Sequence, residues 1–144
     1  MKWITRARPK TDRIACPWLI RRFIDHEAEI VYIDADRVLA TAAELDGRSF
    51  DALGAEFTHR ERKCTFEVLI EEFGLRDDLA LARLARIVHA ADISEDLATD
   101  PLGPGLLALG IGGLEVEADD YRLLDSGSFV YDALYAWCRL ETGE

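Results

Sequence analysis

Three histidines, three cysteines and a run of basic residues near the N-terminus are the side chains of this sequence that could do chemistry. In the block TDRIACPWLIRR, Thr11 to Arg22, Cys16 sits against Pro17 beside a helix start, with Arg6, Lys10 and Arg13 close by. A helix N-terminus offers unpaired N–H groups and the positive end of the dipole. Joined by basic side chains, it is a site for a small oxyanion or carboxylate. The same surroundings would lower a thiol pKa and make Cys16 a nucleophile. The plainer alternatives are a solvated basic turn and a buried core cysteine. At about 100° per residue, Phe23, Ile24, Cys16 and Arg13 fall within about 60° of Ile20, with Trp18 and Arg22 on the opposite side. Cys16 therefore faces inward, as the floor of a pocket more than its reagent, and Arg6, Lys10, Arg13 and Cys16 form the expected oxyanion-binding set.

Two further stretches carry metal-ligand types. In EFTHRERKCTFE, His59 ends a strand-like piece, Cys64 opens a helix and Glu67 follows one turn later. Imidazole, thiolate and carboxylate are the usual protein ligands of zinc and iron. In VHAAD, Asp92 lies about 80° and His89 about 140° from the Leu84-centred core face of their helix, so both lean to one flank. Such a pair supplies two metal ligands, or a base with its orienting carboxylate; a histidine favoured by the helix dipole is the plain alternative. Asp119 and Asp120 read first as caps of the last helix, yet Asp120 projects about 40° from its Leu134-centred face, close enough to border the same pocket. The expected ligand set is thus His59, Cys64, Glu67, His89, Asp92 and Asp120, holding zinc, iron or manganese. His26 reads as a turn residue. No Walker loop, dinucleotide fingerprint, nucleophile elbow or zinc-finger spacing is present.

The elements that must position these residues follow from pattern. KWITRA and EIVYID read as strands flanking a helix from about Asp12 to Asp25, a spacing that suits a βαβ crossover and a parallel pair. Asp34 caps a helix that ends before Gly47, and RSFDAL and AEFTHR are short strand-like pieces. CTFEVLIEEFG and DDLALARLARIVHAADI are amphipathic helices. A short apolar helix lies between DPLGPG and GIGG, and the chain ends in a helix with Val130, Leu134, Trp137 and Cys138 on one face. Gly127 on that face permits close approach by another element. The class is α+β: a small mixed sheet with an N-terminal βαβ unit, covered by helices, and a helical C-terminal half.

The bulk numbers bound the function. With 144 residues the chain, 1–144, reads as one domain, long enough to bury a core. Seventeen basic against 28 acidic residues give −11, which excludes direct nucleic-acid binding and anionic membrane surfaces as partners. Lys2, Arg6, Arg8, Lys10, Arg13, Arg21 and Arg22 nevertheless stand against the single acid Asp12 in the first 22 residues, a basic island on an acidic protein. No signal peptide or membrane span is visible and the cysteines have no CxxC pairing, so a reducing, cytoplasmic setting is expected.

Four stretches, KWITRARPKTDRIACPWLIRRFID, FTHRERKCTFEVLIEEFGL, ARIVHAADI and YDALYAWCR, resemble the C-terminal domain of the ChrB-type chromate resistance proteins over about Lys2 to Arg139. Longer members are regarded as chromate-responsive regulators with an extra N-terminal region expected to bind DNA. The resemblance therefore implies a chromate sensor or accessory resistance domain, with chromate as the small oxyanion. Two other readings stand beside it. One is a metal- or thiol-dependent enzyme acting on a small anionic substrate; the other is a homodimer-forming accessory domain without turnover.

Overall fold

The computed structural model describes residues 1–143. Strand β1 (Lys2–Arg6) is the centre of a three-stranded sheet of order β2-β1-β3, flanked by β2 (Glu29–Ile33) and β3 (Arg48–Ser49). Lys2 lies opposite Glu29 and Arg6 opposite Ile33, while Trp3 faces Arg48 and Ile4 faces Ser49. A mixed sheet is the expectation; all three described strands are parallel, because each return along the chain passes through a helix. The alternation of β1 divides the interior. Trp3 enters the main core with Phe50 and Phe57, and Ile4 points the other way, to a smaller cluster with Val38, Ala42 and Ala52. That smaller cluster lies under α2 (Val38–Glu44), which follows a 3-10 turn at Ala35–Arg37; the Asp34 side chain makes no capping bond.

The predicted helix from Asp12 to Asp25 is α1 (Asp12–Leu19) continued by a π turn over Ile20–Ile24. Pro17 lies inside α1, where it cannot donate to the Arg13 carbonyl one turn earlier. The Tyr32 hydroxyl on β2 donates to that carbonyl at 2.6 Å instead, so the strand repairs what the proline breaks. Trp18, on the side of α1 away from the sheet, is buried too: it packs among Phe66, Tyr131 and Tyr135 and donates its indole N–H to Asp132 at 2.8 Å. The reason is that the last helix covers this side, so α1 is core on both faces.

The helical half comprises α3 (Thr65–Glu72), α4 (Leu79–Asp92), a 3-10 turn at Ser94–Thr99, α5 (Gly103–Val116) and α6 (Asp120–Thr142). Helix α4 is the hub, packed against α3, α5 and α6, and Leu84, Ile87 and Val88 on its inner face are fully buried. Each such side chain contributes roughly 1.5–3 kcal/mol relative to exposure. Asp78 caps α4 by accepting from Leu81 N, and Asp119 caps α6 by accepting from Tyr121 N and Arg122 N. Gly127 lets α6 close on α1 as expected: a Cβ there would stand 2.5 Å from Ile14 Cγ2. No helix among the described residues is long and apolar enough to cross a membrane.

Candidate functional site

The start of α1 meets the start of α3 through one side chain. Asp12, itself buried, accepts the backbone N–H groups of Thr65 at 2.8 Å and Phe66 at 3.1 Å, the first two residues of α3. These donors have no partner inside their own helix, and a carboxylate also suits the positive end of the dipole. Asp51, in the left-handed turn after β3 (φ 48°), approaches the same place and accepts from the Thr65 hydroxyl at 2.9 Å. Asp92 arrives from the last turn of α4.

His59 closes this arrangement from the loop before α3. Its Nε2 lies 3.1 Å from Asp92 Oδ2 and 3.4 Å from both Asp12 Oδ2 and Asp51 Oδ1. The loop that carries it is a tight reversal, with Glu61 and Arg62 both at positive φ between the paired Arg60 and Lys63, and ion pairs from Arg60 to Glu72 and from Lys63 to Glu71 tie it to α3. The carboxylates of Asp12, Asp51 and Asp92 gathered around Nε2 push the His59 pKa up to about 12. Burial, with the neighbouring charges of Asp92 and Asp51, pushes Asp12 up to about 7 against the pull of His59. Burial opposes the charge of Asp51 as well, but His59, Arg13, Thr65 and Arg6 outweigh it and hold Asp51 below the ordinary carboxylate value.

The basic residues expected to receive an oxyanion stand over these acids. Arg6 donates from Nε to the Asp51 carbonyl at 2.8 Å and reaches its carboxylate at 3.4 Å; Arg13 reaches the same carboxylate at 3.5 Å. Together with Lys10, Thr11, Asp12, His59 and Asp92 they line a cavity of about 260 Å³. Thr11 Oγ1 and Arg13 Nε are buried there without a hydrogen-bond partner. Cys16 is fully buried beneath the cavity, its thiol donating to Asp12 Oδ1 at 3.4 Å, and burial together with the Asp12 charge raises its pKa well above the ordinary thiol value. That environment keeps the thiol protonated.

The six expected metal ligands do not meet at one point. His59 and Asp92 join Asp12, while Cys64, Glu67 and His89 form a second group. The HxxD pair of α4 is thus divided: Asp92 turns to His59, and His89 bonds Glu67 Oε1 through Nδ1 at 2.5 Å and Asp96 Oδ2 through Nε2 at 2.6 Å. Asp120 stands elsewhere, accepting from Arg8 N at 3.0 Å and Arg8 Nη1 at 2.9 Å. Asp12, Asp51 and Asp96 are the site acids that spacing alone misses. Asp12 carried a readable signal, as the only acid inside the basic N-terminal block.

The model of the ChrB C-terminal domain matches residues 3–138, a span that contains every residue of this site. The chain belongs to the ChrB C-terminal domain family. It is 38% identical over 134 residues to Protein ChrB of Cupriavidus metallidurans, an alignment covering 93% of this chain and 40% of that protein. The chain therefore spans well under two thirds of the length of the curated relative it matches. No solved structure matches it. The ChrB-type resemblance of the N-terminal block thus extends across both strands of the βαβ unit, the loop that carries His59 and the helix that carries His89 and Asp92.

Proposed function

We propose that this ChrB-family domain is a cytoplasmic chromate-resistance or sensor domain whose pocket takes a divalent metal and, on it, a small oxyanion such as chromate. The observation that carries the reading is His59 Nε2 facing carboxylate oxygens of Asp12, Asp51 and Asp92 at 3.1 to 3.4 Å. One N–H donates well to one acceptor, not to three. Ligands about 2.1 Å from a common metal stand about 3.0 Å apart in an octahedron and about 3.4 Å apart in a tetrahedron, which is the spacing found around this nitrogen. Zinc, iron and manganese all suit an imidazole and carboxylates. Asp12, His59 and Asp92 would hold the ion. Asp51, fixed by Thr65, Arg6 and Arg13, would orient it or complete its shell.

Charge favours an oxyanion on the metal. The bare pocket sets Arg6, Lys10, Arg13 and the His59 imidazolium against Asp51, Asp92 and an Asp12 whose charge burial disfavours, so it carries only a small net positive charge. A divalent ion that displaces the His59 proton adds positive charge where the carboxylates converge, and the unpartnered Thr11 hydroxyl and Arg13 Nε supply donors. Turnover by a thiolate is not part of the proposal, because Cys16 and Cys64 are both buried with raised pKa values. Elemental analysis of purified protein tests the metal: wild type is expected to carry or take up about one ion at this site that His59→Ala does not. For the anion, chromate or sulfate should raise the melting temperature of the metal-loaded protein, and Arg13→Ala should remove that rise. Wild type that stays metal-free after incubation with zinc, iron and manganese would overturn the reading.

A further inference from the structure

The geometry points to a second metal site, separate from the pocket, in which Cys64, Glu67 and His89 bind a borderline-soft divalent ion such as Zn²⁺ or Fe²⁺. The ligand atoms of the three residues lie within 4.8 Å of one another. They come from the two ends of one helix pair: Cys64 is the residue before α3, Glu67 its first turn, and His89 the last turn of α4. A carboxylate, an imidazole and a thiol together are a ligand set for zinc or iron, unlike the oxygen-rich set around His59.

Two hydrogen bonds prepare these side chains. Cys64 N donates to Glu67 Oε1 at 3.0 Å, fixing the carboxylate at the mouth of the helix. On the far side of the imidazole, His89 Nε2 meets Asp96 Oδ2 at 2.6 Å. A metal-bound histidine characteristically gives its other ring N–H to a carboxylate, which fixes the tautomer that frees the ligating nitrogen. Asp96 does this for Nδ1, the nitrogen turned toward Glu67. Glu67 also borders an open cavity of about 210 Å³ that gives an ion a way in, although Cys64 itself is fully buried. On binding, the ion replaces the proton of the Cys64 thiol and the proton shared between Glu67 and His89, and Glu67 draws back from its 2.5 Å contact to a ligand spacing.

This inference is independent of the reading of the pocket, and one titration separates the two. Co²⁺ added to the purified protein is expected to give thiolate-to-cobalt charge-transfer absorption in the near ultraviolet, since the pocket has no sulfur ligand. The band should survive in His59→Ala and vanish in Cys64→Ser. Because Cys64 is buried and its substitution can impair folding, Asp96→Asn at a partly exposed position is the second variant. It should weaken the titration of the band about 10- to 100-fold with the fold intact by circular dichroism. Absence of a thiolate band in wild type, its persistence in Cys64→Ser, or an unchanged affinity in Asp96→Asn would each overturn the site.

Discussion

Asp12 accepts the Thr65 backbone N–H at 2.8 Å, so the acid that opens α1 also closes the N-terminus of α3. Its second oxygen takes the Phe66 N–H at 3.1 Å. Removing the carboxylate leaves two buried backbone N–H groups and the Cys16 thiol without a partner, whereas an asparagine keeps one acceptor. Asp12→Ala is therefore expected to lose about 2–4 kcal/mol of stability and Asp12→Asn about 1 kcal/mol. Both variants should lose the pocket metal. Urea unfolding and elemental analysis of the pair check this; equal stability losses would show that capping is not what Asp12 contributes.

Tyr32 and Pro17 make a second coupled pair. The Tyr32 hydroxyl serves the Arg13 carbonyl only because Pro17 has no N–H to give it. Tyr32→Phe should cost about 1–3 kcal/mol in the native background, the price of one unsatisfied buried carbonyl. In a Pro17→Ala background the alanine N–H can take over, and the same substitution should cost much less. A double-mutant cycle by chemical denaturation reads the difference directly. Additive effects would mean that the hydroxyl acts through packing alone.

How far the sequence could be read depended on periodicity. Helices α3 and α4 were legible because Phe66, Leu69 and Ile70, or Leu84, Ile87 and Val88, recur at helical spacing, and the β1-β2 pairing followed from the length of the crossover. The meeting of His59 with Asp92 is half-legible: both belong to the expected ligand set, but so do Cys64, Glu67, His89 and Asp120, and a flank of a helix does not say which neighbour each side chain will meet. Asp51 and Asp96 were not legible, since they sit in a turn and a 3-10 segment where no repeat marks them. Trp18 misled for a related reason. Rotation puts it opposite the core stripe of α1, and the distant α3 and α6 make that side interior too.

His89 provides a pH test in the chelated, metal-free protein. Burial lowers its pKa, but the hydrogen bonds to Asp96 and Glu67 prevail and raise it above 6.5. A raised histidine contributes stability that is fully present below the unfolded value of 6.5 and is lost as pH rises through the folded one. The deficit of His89→Ala relative to wild type should thus be largest near pH 6 and shrink toward pH 10. Paired urea melts across that interval measure it. A deficit that grows with pH would mean that neutral imidazole, not imidazolium, is the form the fold favours.

Metal and oxyanion should bind the pocket cooperatively, because a divalent ion that displaces the His59 proton adds positive charge beside Arg6, Lys10 and Arg13, where Asp12, Asp51 and Asp92 otherwise offset them. Binding free energies are reciprocal: if saturating Mn²⁺ or Zn²⁺ tightens sulfate, sulfate must tighten that metal by the same factor, here expected at about 5- to 150-fold. Calorimetric titration of each ligand with and without the other gives both factors. His59→Ala should abolish the coupling by removing the metal, whereas Arg13→Ala should weaken sulfate in the metal-loaded protein and leave the metal affinity measured without sulfate nearly unchanged. Sulfate affinity that is identical in the presence and absence of metal would reduce the Arg6–Lys10–Arg13 cluster to an independent anion site, with the carboxylates around His59 serving only to hold its charge.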